Sequence, residues 1–483
     1  MKFNIIRNKV VLYLVTRYLT YFVQFITALF IANKLGPYYL GIWGVYLLVL
    51  NYLCNLNFGI NNSLNILIVQ NINNNSQKEE YIRNSFFLVS LLSILIIIIG
   101  VIYYIYNNND NSIYNIGLNI FVICVIAILR HYNNNFGTIF RTQNKLLEMS
   151  IQQSLTHFYA FIGVLVYSGE KLLSVLLLAY FLGELVPLLL FFIRKNFSFS
   201  GGFYSETQNK ILRKGGWLFI YNFCFYAILL TTRSLISGNY STEDFGRFTF
   251  SYTIASSLLL LLESFTTLIF PKLIDKYNTN DKNQVLGIAT TLMNTVVTLC
   301  YAMFFCFIPL IPFLLQFFPQ YSDTVGVLSI TSLSIIVYMN NVFIYYLMAI
   351  NKEKQIAIIS LSALIFNIVV GLFLIKVLCV QYQYVVLSML VSYYLFSFLG
   401  NYFAQHILGE KLRLSSVFAF FPMRLFLPYC IYIITAVCSL PFYFYCIGGL
   451  LFLLLNMKQI RIIYDTITHI LSRPQVIDIV DKK

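Results

Sequence analysis

The chain has 483 residues, of which 59% are hydrophobic and 10% charged, and its mean hydropathy is +0.77. A soluble domain would carry roughly a quarter charged residues, so a soluble enzyme or binding module is excluded. The net charge of +14 invites a nucleic-acid partner, but the basic residues are placed along the chain in a way that points to a membrane instead.

About fourteen apolar stretches run through the sequence, most of them near the roughly 20 residues that a helix needs to cross about 30 Å of hydrocarbon. The predicted spans are 11–33, 39–69, 86–106, 113–129, 150–167, 172–193, 217–237, 247–270, 286–315, 325–350, 356–376, 384–406, 418–438 and 441–457. The fold class is therefore all-α integral membrane. With the N-terminus in the cytoplasm, Lys34, Lys171, Arg247 and Lys376 fall outside, and Arg17, Arg233 and Arg424 lie within or at the ends of spans. All other Lys and Arg fall on cytoplasmic segments, the bias that orients membrane proteins. An even number of spans places both termini in the cytoplasm. The first apolar run is too long for a signal peptide and reads as an uncleaved first helix. Most of the nine cysteines lie inside spans and read as small buried apolar residues, not as disulfides or metal ligands. The Asn runs at Asn71–Asn75, Asn107–Asn111 and Asn133–Asn135 read as solvated turns at span ends.

The loops are short. The longest, Arg194–Gly216, holds Arg194, Lys195, Lys210, Arg213 and Lys214 and reads as a cytoplasmic linker between two halves. The expected organisation is a first lobe of six spans (1–193), the linker (194–216), a second lobe of six spans (217–406), two further spans (407–457) and a cytoplasmic tail (458–483). The halves share a short likeness. Ile31 to Gly41 and Ile236 to Gly246 both read as a helix end, a polar turn, then an aromatic or apolar residue and a glycine; Gly41 and Gly246 lie 205 positions apart. Spans one and seven share an orientation, so this is a parallel repeat, and transporters often place substrate between such repeats.

These segments resemble the polysaccharide-repeat flippases of the Wzx type, in the multidrug/oligosaccharidyl-lipid/polysaccharide (MOP) exporter superfamily. The residues that carry the resemblance are Leu35-Gly36-Pro37-Tyr38-Tyr39-Leu40-Gly41-Ile42-Trp43 and Asn57-Phe58-Gly59-Ile60-Asn61-Asn62-Ser63-Leu64. To these the second half adds Gly215-Gly216, Arg233 and Phe270-Pro271-Lys272-Leu273. The resemblance spans roughly residues 1–275. It implies two pseudo-symmetric six-helix lobes of the MATE type about a central cavity, here with two additional C-terminal helices. It also marks departures: Asn57 and Thr232 stand where the family often has Asp, and Trp217 where it often has Pro. The missing acids take a proton-coupling role away from those two positions.

Several spans carry polar stripes, whereas a helix facing only lipid would be apolar all round. Span one places Arg17, Thr20, Gln24 and Thr27 within about a quarter-turn. Span two has Asn51, Asn55, Asn62 and Asn65; span seven Asn222, Tyr226, Arg233 and Ser237; span eight Ser256, Glu263 and Thr267; span ten Thr331, Ser334, Tyr338, Asn341 and Tyr345. Singly, such groups also serve as interhelical glue worth about 0.6 kcal/mol each; together they suggest a water-filled cavity. A charge within a span costs about 2.5–3.5 kcal/mol on insertion scales and usually faces a cavity or a partner. Two readings stand for Arg17 and Arg233. Each could snorkel to the nearer interface, or grip phosphate, whose oxygens match the paired guanidinium donors. Arg424, near a span end, reads as snorkelling. Glu184 and Glu263 are the carboxylates within spans, and His157 the one histidine well inside. Each could exchange a proton or bind a coupling ion, or be a structural partner. No metal cluster, nucleophile–base set or phosphate-binding Gly-rich loop occurs in the sequence, so no cofactor is expected beyond a coupling proton or sodium ion.

The resemblance implies translocation of a polyprenyl-diphosphate-linked oligosaccharide across a bacterial cytoplasmic (inner) membrane, for O-antigen, capsule or other surface polysaccharide. The partners it implies are that glycolipid, the bilayer, and the polymerase and chain-length machinery of the same pathway. Substrate-binding candidates are Arg17, Arg233, Gln24, Asn51, Asn55, Asn62, Asn222 and Tyr226; ion-coupling candidates are Glu263, His157 and Glu184. Two alternatives stay open: an ion-coupled exporter of small cations, which needs acids in the cavity, and a polysaccharide polymerase or ligase, which usually needs a sizeable outer loop.

Overall fold

A computed structural model describes residues 9–71, 74–107, 116–143, 145–193, 201–277, 281–337, 340–409 and 423–472. Among these residues the regular structure is helical, with no strand. Lipid offers no partner for a backbone N–H or C=O, so each pass must pair its own backbone, as a helix does. The first half comprises α1 (Lys9–Asn55), α2 (Ile60–Gln70), α3 (Asn75–Asn107), α4 (Ile116–Thr142), α5 (Leu146–Val166) and α6 (Glu170–Ile193). Next come α7 (Ser205–Asn239) and α8 (Thr242–Tyr277). The rest comprises α9 (Lys282–Leu292), α10 (Thr298–Phe307), α11 (Ile311–Gln316), α12 (Val325–Val337), α13 (Val342–Ala349), α14 (Glu353–Lys376), α15 (Tyr382–Ile407), α16 (Met423–Val437) and α17 (Tyr443–Ser472). Nine of the described helical segments are long and apolar enough to cross a membrane. The described residues of the predicted spans lie almost entirely on helix, so this is a multi-pass, all-α membrane protein.

Glycine and proline divide the first two spans. Gly36 adopts φ 70°, which breaks α1, and Pro37, which has no N–H to leave unpaired, restarts it. A second break interrupts the predicted span 39–69. Phe58 and Gly59 both have positive φ, and the Gly59 N–H donates to Asn57 Oδ1 at 2.9 Å. The expected face Asn51–Asn55–Asn62–Asn65 therefore does not run on one helix; Asn51 and Asn55 belong to α1, Asn62 and Asn65 to α2. Another correction concerns α4, which continues past the predicted end at 129 to Thr142. It draws Arg130, His131 and the supposed turn Asn133–Asn135 into a helix, with Asn133 and Asn135 buried. The apolar residues Phe136, Ile139 and Phe140, which pack with Phe191, extend its buried face.

By compactness the chain divides into one unit of Met1–Ser237 with Ser241–Gly246 and another of Gly238–Tyr240 with Arg247–Lys483. The former includes most of α7, which starts at Ser205 inside the predicted linker. The physical reason is local. Ser63 Oγ donates to the Ile211 carbonyl at 2.5 Å, Arg83 Nε to the Gly202 carbonyl at 2.8 Å, and Lys210 Nζ to Tyr81 OH at 2.7 Å. A Cβ on Gly59 would collide with the Gly215 backbone, so α2 and α7 touch where both lack side chains. Within the other unit, α16 and α17 are docked on α10, α12 and α15. Phe305 stacks on Phe452 at 4.2 Å, Tyr384 OH donates to the Val437 carbonyl at 3.0 Å, and Asn456 Nδ2 to the Arg424 carbonyl at 3.0 Å.

The repeat seen in the sequence has a spatial counterpart. A Cβ on Gly41 would collide with the carbonyl of Thr242, and a Cβ on Gly246 with the carbonyl of Pro37. Adding 205 to the numbers of Pro37 and Gly41 gives Thr242 and Gly246, so one contact is the repeat-related image of the other. Overpacking such a site costs about 1–3 kcal/mol. Gly41→Leu and Gly246→Leu should each lower the melting temperature of the detergent-purified protein, while Gly238→Ala, which meets open space, should not. Equal melting temperatures for all three would show that the contact is not tight.

Candidate functional site

A charged cluster lies inside the first unit, where α1, α4, α5 and α6 meet. Arg130, midway along α4, places Nε 2.7 Å from Glu184 Oε1 on α6. Asn133, one turn on, donates through Nδ2 to Glu184 Oε2 and to the Glu184 carbonyl, both at 2.8 Å. Gln152 of α5 in turn donates to the Asn133 carbonyl. The Arg130 guanidinium lies 5.9 Å from the Tyr180 ring, and that ring packs edge-on to Trp43 at 5.2 Å. His131, adjacent in sequence, turns away and bonds the Leu53 carbonyl through Nε2 at 2.9 Å. Gly183 lets α6 press on Thr156 of α5, since a Cβ there would strike Thr156. This crossing sits one residue from both Glu184 and His157. The Arg130 side chain keeps 24% exposure against 9% for Glu184, so the open edge of the pair is its cationic side.

Arg17 approaches the same region from α1. Its guanidinium lies 5.0 Å from the Tyr21 ring, and it is half-buried. Thr20 Oγ1 and Ser154 Oγ share a hydrogen bond of 2.7 Å, and Lys34 Nζ donates to the Val164 carbonyl at 2.6 Å. The first pass and α5 thus run parallel, as their odd places in the order require. The charges of Arg130 and Arg17 both reach the half-buried His157.

The sequence candidates separate on this frame. Arg17, His157 and Glu184 gather in the first unit around Arg130, which lies within α4 and not on the cytoplasmic segment expected from the sequence. Gln24, Asn51, Asn55, Asn62 and Tyr226 are half-buried and Asn222 is exposed. Asn55 Nδ2 donates to the Asn51 carbonyl at 2.8 Å. Arg233 is 1% exposed, with Nη2 donating to the Gly44 carbonyl at 3.2 Å and Cζ 5.9 Å from the Phe245 ring. It braces α7 against the second part of α1 beside the Gly41–Gly246 contact, with no face open to a ligand in this arrangement. The side chains of Glu263 and Tyr338 lie outside the described residues. In span ten, Thr331 and Ser334 are fully buried and bond carbonyls of their own helix at 2.6 and 2.9 Å, so they line no water-filled space here. Arg424 does not simply snorkel: Nη2 donates to Asn294 Oδ1, beside the π-helical turn Met293–Val297. In the same unit Tyr301 and Asn340 share hydrogen bonds, and Tyr429 packs edge-on to both Tyr301 and Tyr394. Among the described residues no group of three His, Cys, Asp or Glu gathers as a metal site.

Known structures share this multi-pass helical fold. An inward-facing MATE-family multidrug resistance transporter of the MOP superfamily matches with a TM-score of 0.61 at 13% identity, over 81% of this chain and 94% of its own. An outward-facing conformation of a MATE transporter of that superfamily matches at 0.59 and 13%, over 82% and 94%. A MATE protein in the straight conformation matches at 0.58 and 12%, over 82% and 93%. These likenesses show the fold. No curated protein matches the chain. The family described as "Polysaccharide biosynthesis protein" matches residues 6–273, and the chain belongs to it. The chain joins a polysaccharide biosynthesis family to the fold seen in MATE-family structures.

Removing one member of a buried ion pair strands the other at about 3–5 kcal/mol, whereas replacing both with apolar groups is often neutral. Arg130→Met should therefore lower the melting temperature clearly, and Arg130→Met with Glu184→Met should restore most of the loss. A double variant as unstable as the sum of the two single ones would show that the pair is not coupled.

Proposed function

We propose that this transporter flips polyprenyl-diphosphate-linked oligosaccharide repeat units across the bacterial cytoplasmic membrane, by alternating access, for surface polysaccharide assembly. The observation that carries this reading is a pair of partly exposed arginines, Arg17 and Arg130, inside a helical bundle of a polysaccharide biosynthesis family. Guanidinium stays charged at any depth and matches phosphate oxygens with paired donors. Arg17 would hold the diphosphate. Gln24, Asn51, Asn55, Asn62, Asn222 and Tyr226 offer hydrogen bonds to sugar hydroxyls, and Arg233 serves as a brace for the helices that move. An export cavity for cations would need free carboxylates; Glu184 is tied to Arg130, which favours an anionic cargo. Both termini would lie in the cytoplasm, and the membrane potential or an ion gradient, with His157 or Glu263 as further coupling candidates, would supply direction.

The test is the sidedness of the glycolipid. In a strain lacking the gene, the lipid-linked oligosaccharide should accumulate on the cytoplasmic face, as read by sugar labelling of intact cells and inverted vesicles. The wild-type gene should relieve this, and Arg17→Ala should not, although that variant reaches the membrane in normal amount. Unpolymerised units on the outer face would turn the reading towards a polymerase, and unchanged glycolipid towards a small-molecule exporter.

A further inference from the structure

Trp217 stands near the start of span seven and is 44% exposed. It ends a basic stripe on α7. Thr207, Ile211 and Gly215 recur every fourth residue and form the buried face of this part of the helix. That face is packed on α2 and α3: Thr207 bonds Glu80, the Ile211 carbonyl accepts from Ser63, and Gly215 meets Gly59. Lys210, Arg213, Lys214 and Trp217 follow the spacing i, i+3, i+4 and i+7, which places them together on another face, and all four are exposed. Lys210 Nζ donates to Tyr81 OH at 2.7 Å and lies 5.3 Å from that ring, while Lys214 Nζ donates to Gln70 Oε1 at 2.8 Å. Both partners are neutral. Among the described residues no carboxylate pairs with Lys210, Arg213 or Lys214, so their charges are uncancelled.

Helix length sets the depth of these charges. From Asn239, where α7 ends, back to Trp217 the axis covers about 33 Å at 1.5 Å per residue, close to the hydrocarbon thickness of about 30 Å. Trp217 thus falls at the edge of the hydrocarbon, where an amphipathic indole is favoured. Arg213 and Lys214 lie about 4.5–6 Å beyond it, within a headgroup layer about 5–8 Å deep, and Lys210 about 10 Å beyond, at the outer margin of that layer. Glu206 shares the stripe but lies about 16 Å beyond Trp217, in water. The phosphate level therefore carries positive charge only. A zwitterionic headgroup brings its own cation against this stripe, whereas an anionic one brings none.

We propose that this face of α7 is a docking surface for an anionic phospholipid of the adjoining leaflet. Arg213 takes the phosphate with paired guanidinium donors, Lys214 and Lys210 flank it, and Trp217 rests on the upper part of the acyl chains. Gln70 of α2 and Tyr81 of α3 hold the two ammonium groups in place, so the headgroup ties the starts of three helices together. The surface lies wholly within the first unit and is independent of which substrate is carried.

The chain has two tryptophans, and Trp43 is 3% exposed, so quenching by lipid reads Trp217. The full-length protein is reconstituted in mixed vesicles of phosphatidylglycerol and phosphatidylcholine, with one lipid or the other brominated near the headgroup end of its chains. Trp217→Phe supplies the background from Trp43. In the wild type, phosphatidylglycerol should associate with the Trp217 site at least about fivefold more strongly than phosphatidylcholine, the factor expected from one basic residue at an anionic surface. Arg213→Gln with Lys214→Gln should bring the two lipids to within about twofold of each other, at an unchanged melting temperature, since both side chains are exposed. Equal quenching by the two lipids in the wild type would overturn the proposal, and this comparison stands even where the double variant fails to fold. Selectivity that survives in a folded double variant would overturn it as well, and so would a Trp217 that neither lipid quenches.

Discussion

A guanidinium halfway along an apolar helix must be answered by a negative charge, and in this protein the answer is Glu184. Much of the first unit is built to make that meeting possible. Gly183 brings α6 onto α5, Asn133 aims the carboxylate and pins its backbone, and Gln152 holds Asn133 from the next helix. A buried ion pair of this kind contributes little net stability, because desolvation offsets most of the attraction.

The passes themselves were legible in the residue order, because the hydrocarbon thickness fixes both the length and the apolarity of a crossing helix. Gly36-Pro37 was equally plain as a break. Arg130 was hidden by the rule that revealed the topology. Counting basic residues as loop markers assigns an arginine at the end of an apolar run to the cytoplasm, and the Asn run after it strengthened that impression. The signal in the other direction was the apolar set Phe136, Ile139 and Phe140, at helical spacing beyond the polar stretch.

Other polar positions show why residue type alone does not define a site. Thr331 and Ser334 sit on one face as a cavity lining would, yet each hydroxyl is spent on its own helix. Arg233 has the chemistry of a phosphate ligand, and a carbonyl and an aromatic ring occupy it. Nothing in a sequence distinguishes a guanidinium facing water from one facing a backbone. Asn57 and Thr232, where related chains often carry Asp, have structural work here. The Asn57 amide oxygen receives the Gly59 N–H at the helix break, and the Thr232 hydroxyl bonds the Ile228 carbonyl. Both roles need only a neutral acceptor or hydroxyl, which fits a chain whose charge balance is handled elsewhere.

The contact of Gly41 with Thr242 and of Gly246 with Pro37 has the grammar of an isologous interface: position i of one copy meets position j of the other, and j meets i. Two-fold homodimers are held by surfaces of this self-complementary kind. Here both copies lie on one polypeptide, so the segment around Gly41 is a partner for its own duplicate. Once the copies are joined in one chain, each is free to accept substitutions the other does not share, as Pro37 and Thr242 already differ, while the two glycines remain bound to a common geometry.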